Sequence, residues 1–418
     1  MKKKKDLILF VNYVPLMAVK AVEDYAKIIK KELEVAVIKD SHSYRKTKTT
    51  IKHLVCDLDK PLCIDQALEP YQERLLAIVC RGDKNVADFA KIIPYVPYLR
   101  TPTEKSILWS VDKIEMRRHF YNYDKSITPK FIIVKDDSKQ TIKKIKNKLK
   151  FPLMIKPSGL GASLWVTNCF HEEELVDALK KIFKHINSTY KKNGREEIPK
   201  VLVEEFMEGD LYSVDVYITS RGKISFCPMV QIKTGKEIGF DDFFGYQQMT
   251  PTILKQKSID AAQAVASQAI YALNLRSTSA HVELMKTEDG FKVVELGPRL
   301  GGFRHELYEL SYDFNHSLND ILVRIPKKLH INKKVRGYSV AMKFFAKKEG
   351  RLEKLSGAKK IKQLESFEDI KINKKTGDMC RYAKNGGKSV VNLIMFNKSR
   401  SGLLADIRRA EKVLHIIT

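Results

Sequence analysis

Short apolar runs alternate with helical periodicity through the first hundred residues. Leu7–Val11, Val35–Ile38 and Leu75–Cys80 read as strands, and Ala21–Leu33 and Asn85–Ile92 carry helical spacing. The alternation predicts βαβ units and a small parallel sheet, with Lys39–Lys52 as a polar loop. A helix over Ser106–Tyr121 opens a second region. It continues through a strand Phe131–Val134, a helix Thr141–Leu149 and a strand Phe151–Lys156. Beyond a polar insertion, Lys184–Lys200, come strands at Val201–Phe206, Leu211–Thr219 and Lys223–Val230 and a helix Ser258–Leu273. Strands Ser277–Lys286 and Phe291–Leu296 precede a helix Arg304–Val323. The lysine-rich stretch Ile325–Arg336 reads as a boundary, followed by strands Ser339–Phe345 and Val390–Met395 and a closing amphipathic helix. The whole predicts an α/β (α+β) protein.

At 418 residues the chain exceeds the roughly 250–300 at which one core stops growing, so two or three parts are expected, and the breaks near Ser106 and at Ile325–Arg336 divide it into 1–105, 106–326 and 327–418. Lys and Arg number 76 against 50 Asp and Glu, a net charge of +26 that would draw any polyanion. The lysines recur along the whole chain and form no aromatic-interleaved patch, which speaks against a nucleic-acid face. Six dispersed cysteines, without a CxxC pair, fit a reducing cytoplasm. Met1–Val11 imitates a leader, but Asp6 and Asn12 interrupt it and it reads as a first buried strand. No run is long enough to span a membrane.

Candidate chemistry concentrates in Ser277–Phe303. Thr287-Glu288-Asp289-Gly290 is a turn between two alternating apolar runs, so the segment reads as a hairpin that sets Glu283 opposite Glu295. Cross-strand neighbours lie about 4.5–5.5 Å apart at Cβ, and two carboxylates so close repel unless a cation joins them. All-oxygen ligands favour magnesium or manganese. The competing reading, a one-residue slip with one Glu in solvent, stays open. His281 shares a face with Glu283 and reads either as a proton acceptor or as a packed structural residue. In the glycine-containing loop that follows, Arg299 suits a carboxylate or phosphate. Upstream, a strand ends at Lys156 and runs into the small-residue loop Ser158–Ser163, able to fold N–H groups over phosphates. Gly387-Lys388-Ser389 imitates the end of a Walker loop, but Tyr382 stands at its first glycine position. The segment Gln231–Gln247, with Asp241 and Asp242, reads as substrate pocket or as exposed acidic loop.

In this order, Lys156, the small-residue loop, Glu283, Glu295 and Arg299 resemble the ATP-grasp superfamily. Within it, His281-Val282-Glu283 and Glu295-x-x-x-Arg299-x-Gly301-Gly302 are most similar to the L-amino-acid ligases of bacilysin and carnosine type. The resemblance implies a pre-ATP-grasp domain, an ATP-grasp region and a C-terminal lobe. It implies that Lys113 and Lys156 bind ATP phosphates under a lid containing Ser158, Gly159, Gly161 and Ser163. Glu204, Glu205, Phe206 and Met207 would form the adenine hinge, and Asp210 would take the place of a ribose-binding Glu. Glu283 and Glu295 would hold Mg2+ or Mn2+, although Gly297 stands where many members carry a ligating Asn. The implied reaction joins a small-molecule carboxylate and an amine, amino acids foremost, through an acyl phosphate. Arg299 and Lys156 would act on the reacting groups. Modification of a peptide or protein terminus, a bicarbonate-using member, a non-catalytic ATP-binding regulator and a homodimer remain open alternatives.

Overall fold

The structure, a computed structural model, describes residues 5–45, 50–158, 164–192, 198–325 and 327–418. At the N-terminus, β1 (Asp6–Val11), β2 (Leu33–Asp40), β3 (Lys52–Cys56) and β4 (Leu75–Cys80) form a sheet in the order β3-β2-β1-β4, every pair parallel. Successive side chains of a strand point to opposite faces. Ile8 and Phe10 pack against α1 (Leu16–Ile29), and Leu7, Leu9 and Val11 pack on the side of α2 (Pro61–Leu68) and α3 (Val86–Ile92). A run apolar on both faces therefore becomes a strand covered on both. The helix expected over Ala21–Leu33 starts earlier, after Pro15, and ends at Lys30 in the left-handed region.

The helix expected over Ser106–Tyr121 is two. α4 (Glu104–Val111) stops at Asp112, whose carboxylate accepts from the backbone N–H of Ile114 and Glu115 and caps α5 (Lys113–Tyr123). The cap sets Lys113 on the first turn of α5. Next comes a small antiparallel sheet, β5 (Phe131–Val134), β8 (Val201–Glu205), β6 (Leu153–Pro157) and β7 (Thr167–Cys169), in that order. It is backed by α6 (Lys139–Lys148) and α7 (Glu172–Lys192) around a core of its own.

The largest sheet has nine strands among the described residues. It runs β14 (Gly290–Gly297), β13 (Thr278–Thr287), β9 (Asp210–Ile218), β11 (Val230–Thr234), β12 (Gly245–Thr250), β15 (Tyr338–Phe344), β20 (Val391–Asn397), β18 (Phe367–Ile372), with β10 (Ile224–Phe226) on β9. The strand expected over Lys223–Val230 is thus divided between β10 and β11. β12 lies partly inside the segment read as pocket or loop, where its glutamines masked a strand. The helix α8 (Gln256–Ala272) packs behind β14, and an expected helix over Arg304–Val323 breaks at Asp313 (φ 57°) into α9 (Arg304–Tyr312) and α10 (His316–Leu322). Strands of the C-terminal part continue this same sheet under α12 (Arg400–Val413). Two short pairs, β16 (Gly350–Arg351) with β19 (Met379–Cys380) and β17 (Lys354–Ser356) with β21 (His415–Ile417), and the turn-long α11 (Ala358–Ile361) complete it. Among the described residues no helix is long and apolar enough to cross a membrane.

Candidate active site

The hairpin β13–β14 pairs Glu283 with Glu295, but through a device that alternation does not reveal. From the turn, Thr287 faces Gly290 and Leu284 faces Val293; the register then shifts, and Glu283 faces Glu295. Val294 is the extra residue of a bulge. A regular ladder would have set Glu283 opposite Val294. The carbonyl of Val294 accepts from Arg117 Nη2 at 2.8 Å, so α5 grips the bulge.

Charged groups gather at this point. Lys113 Nζ lies 3.0 Å from Glu295 Oε1, and Glu295 keeps 47% of its side chain accessible. Burial alone would push the Glu295 carboxyl up. The charge and hydrogen bond of Lys113, with Lys156 and Arg299 beyond, hold it down at about 2. Glu283 is 31% accessible and lies 3.4 Å from His281 Nε2. Lys343 on β15 carries the opposite charge towards Glu283; burial lowers its pKa, and Glu283 works against that.

At the end of β6, Lys156 Nζ donates to Glu204 Oε2 at 2.5 Å, and Arg117 Nε donates to the other carboxylate oxygen. Glu204 is wholly buried; burial raises its pKa, but the two cations bring it down to about 2. Its side chain is therefore withdrawn from the cleft, while Glu205 meets Lys130 at the surface. The backbone N–H of Glu205 bonds Lys130 and that of Phe206 bonds Pro152; Met207 is half-buried. Asp210 is exposed at the start of β9, opposite Lys286. Ser158 is buried and donates to Asp112 at 2.8 Å, which ties the start of the small-residue loop to the cap of the Lys113 helix. Gly159, Gly161 and Ser163 lie outside the described residues.

Arg299 forms a fork with Asp83: Nε to Oδ1 at 2.5 Å and Nη2 to Oδ2 at 2.8 Å. A Cβ at Gly297 would come within 3.3 Å of its guanidinium carbon, so glycine there leaves room for the arginine. Beneath lies Asp215 on β9, wholly buried. It receives His281 Nδ1 at 2.6 Å, His316 Nε2 at 2.9 Å and the Gly301 N–H at 2.7 Å. Burial would raise the Asp215 carboxyl, but His281 and His316 hold it well below the usual range. Burial lowers His281, and Asp215 outweighs it, so the imidazole is raised. A Cβ on Gly301 would lie 2.5 Å from His281 Nδ1, so only glycine brings its N–H this close. His281 is thus packed into the floor.

Sequence reasoning missed Asp83, Arg117, Asp215, His316 and Lys343. Asp83 had a signal, a carboxylate three residues beyond a parallel strand, where α/β proteins bind ligands. The others are joined to partners 60 or more residues away, and no local pattern marks them. The Asp241–Asp242 pair engages Lys384 of the C-terminal part, and Asp242 is buried. Gly387 belongs to a tight turn, where a Cβ would meet the Arg381 carbonyl at 1.9 Å.

The donor set fits a hard divalent cation. Glu283 and Glu295 offer oxygens alone, and Lys113 is bonded to one oxygen of Glu295. Such a site leaves much of a magnesium ion's shell to water and phosphate, as that ion prefers.

Residues 149–306 match the ATP-grasp domain. The chain carries that domain, and its fold is the ATP-grasp fold over its whole length. It is similar to an L-amino acid ligase from Bacillus licheniformis, with a TM-score of 0.76 at 15% identity over 100% of this chain and 99% of that one. It is also similar to the biotin carboxylase domain of a 2-oxoglutarate carboxylase from Hydrogenobacter thermophilus, whose structure holds MgADP and bicarbonate. That likeness has a TM-score of 0.66 at 15% identity over 99% of this chain and 91% of the other. In sequence it is 27% identical over 175 residues to a D-alanine–D-alanine ligase of Lactobacillus acidophilus, 40% of this chain and 44% of that protein. The chain spans less than half the length of the curated relatives it matches.

Proposed function

We propose that the protein is an ATP- and magnesium-dependent ligase joining a small-molecule carboxylate to an amine, with release of ADP and phosphate. The observation that carries this reading is the gathering of Lys113, Lys156, Arg299, Glu283 and Glu295, distant in sequence, around one bulged hairpin. In this reading Lys113 and Lys156 meet phosphate oxygens, with Ser158 beside them at the start of the small-residue loop. Residues 204–207 and Asp210 serve as the nucleotide hinge. Glu283 and Glu295 would hold a magnesium ion, whose positive charge would offset the negative charge developing on the transferred phosphoryl group. Manganese suits the same oxygens.

The substrate carboxylate attacks the γ-phosphate, giving an acyl phosphate and ADP; the amine then attacks the acyl carbon and phosphate leaves. Arg299 holds the carboxylate and then the developing oxyanion, with a planar fork suited to both. The buried Asp215–His281 pair sets the orientation of the Glu283 strand. The division at 1–105, 106–326 and 327–418 assigns the parallel sheet to substrate, the middle to nucleotide and the remainder to closing the site. Amino acids are the substrate class that the likeness to amino acid ligases favours.

The test is product analysis. Purified protein with ATP, magnesium, hydroxylamine and a panel of carboxylates should yield ADP, phosphate and a hydroxamate. AMP and pyrophosphate instead would overturn the mechanism. Absence of nucleotide turnover with every carboxylate would turn the reading towards a binding protein.

A further inference from the structure

We infer that Asp242 is a positioning residue for the nucleotide. Through the C-terminal turn around Lys384 it clasps the small antiparallel sheet, and so sets Lys156 against the hairpin of Glu283 and Glu295. The inference rests on the nucleotide site of the ligase reading and deepens it, by naming the contact through which residues beyond 326 act on that site.

Asp242 lies between β11 and β12 of the largest sheet and is only 1% exposed. A carboxylate so buried needs a partner. Its Oδ2 accepts from the Lys384 N–H at 3.0 Å, and Lys384 Nζ reaches the neighbouring Asp241 at 2.5 Å. The turn is held to one shape, since the N–H groups of Gly386 and Gly387 bond the carbonyls of Ala383 and Tyr382. The Lys384 carbonyl in turn accepts from the Trp165 N–H at 3.1 Å, two residues before β7. A continuous series of bonds therefore runs from the largest sheet, through the C-terminal turn, to the small one.

The backbone of Trp165 supports a held contact. Its φ of 61° is left-handed, which is uncommon for a bulky side chain. Such a conformation persists where the surroundings impose it. The ring lies 6.0 Å from Lys181 Nζ and 6.0 Å from the His185 ring, both on α7, while the N–H goes to Lys384. In the small sheet β6 stands between β8 and β7. On the β8 side Glu204 is tied to Arg117; on the β7 side Trp165 is tied to Lys384. Thr167 of β7 faces Ile155, the residue before Lys156, so the lysine is set by a tie on each side. The two ties are unequal. The Glu204 pair is wholly buried, whereas Asp241 is 72% accessible and the Trp165 contact is one backbone hydrogen bond. The clasp is thus the side that can yield when a nucleotide enters and re-form once it is bound.

The test is calorimetry with adenylyl imidodiphosphate and magnesium, which needs neither carboxylate nor amine. Asp242→Ala removes the acceptor for the turn and should raise Kd for the nucleotide about three- to tenfold. Asp242→Asn keeps an oxygen for the Lys384 N–H and should restore most of the affinity. Trp165→Gly accepts the left-handed backbone but loses the hold on α7, and should raise Kd about two- to threefold. A merely structural Asp242 would lower Tm and the number of competent sites while leaving their Kd unchanged. An unchanged Kd in Asp242→Ala, or in Trp165→Gly should the first variant not fold, overturns the clasp and leaves the ligase reading standing. No binding of the nucleotide by the unaltered protein overturns the nucleotide site and the clasp with it.

Discussion

The floor and the rim of the cleft hold similar residues in opposite circumstances. On the floor, Asp215 and Glu204 are fully buried, and each is shared between two basic side chains. On the rim, Glu295, Glu283 and Asp83 keep 47%, 31% and 69% of their side chains accessible. A buried carboxylate cannot release a partner without stranding charge in a low-dielectric interior. A half-exposed one can exchange a lysine or arginine for a metal cation or a cationic substrate group at little cost, which frees the basic side chain for a phosphate or a carboxylate. The floor therefore fixes β9, β13, α5 and α10 relative to one another, and the rim is where the proposed binding would take place.

The sharpest way to break this contrast is Asp215→Ala, which would leave His281, His316 and the Gly301 N–H without their acceptor. It should cost about 3–5 kcal/mol in urea unfolding; a loss below about 1 kcal/mol would remove the floor as a fixed element. Glu295→Gln should do the reverse, lowering turnover more than about tenfold through the lost metal charge while the urea midpoint stays near that of the unaltered protein. Lys156 straddles the two regions. Lys156→Met should weaken ATP binding, by calorimetry, and also destabilise the fold by about 1–3 kcal/mol, because Glu204 loses one of its two partners.

Acid should separate the regions in another way. The Glu204 pKa falls from 4.5 to about 2 on folding, so its contribution is complete above 4.5 and disappears as pH falls through 2. Glu204→Gln should flatten that acid limb of a stability–pH curve, and an unchanged limb would assign it to other carboxylates. The smallest change is expected from Asp83→Asn, at most about 1 kcal/mol in unfolding, since its partner is replaced by water.

Much of the fold was legible because the parallel strands are short, apolar on both faces and separated by helical spacing. A turn centred near Asp289 puts Glu283 opposite Glu295, but the bulge that produces this opposition in the structure was not legible. Counting from Thr287–Gly290 alone puts Val294 opposite Glu283, and only the Arg117 contact shows why the chain spends an extra residue there. The break at Asp112 had its signal in the chain, an Asp followed three residues later by Glu115, and amphipathic periodicity running through it concealed the cap. β12 escaped because Gln247 and Gln248 look solvent-facing. Both are buried, and Gln248 accepts from Arg304, which is also buried. Polar groups that find partners far along the chain are invisible to any local pattern.

The pairing of β12 with β15 has a practical consequence for dissecting the molecule. Proteolysis or truncation between residues 327 and 337 would sever the connection just before β15 and, once the C-terminal piece left, would bare one edge of β12. It would also uncover Tyr246, Met249 and the apolar surface that α12 and β20 now cover. A bare, apolar strand edge is a template for pairing with other chains. The N-terminal 326 residues produced alone should therefore precipitate or associate, and a linker in the chain need not be a place where it can be cut.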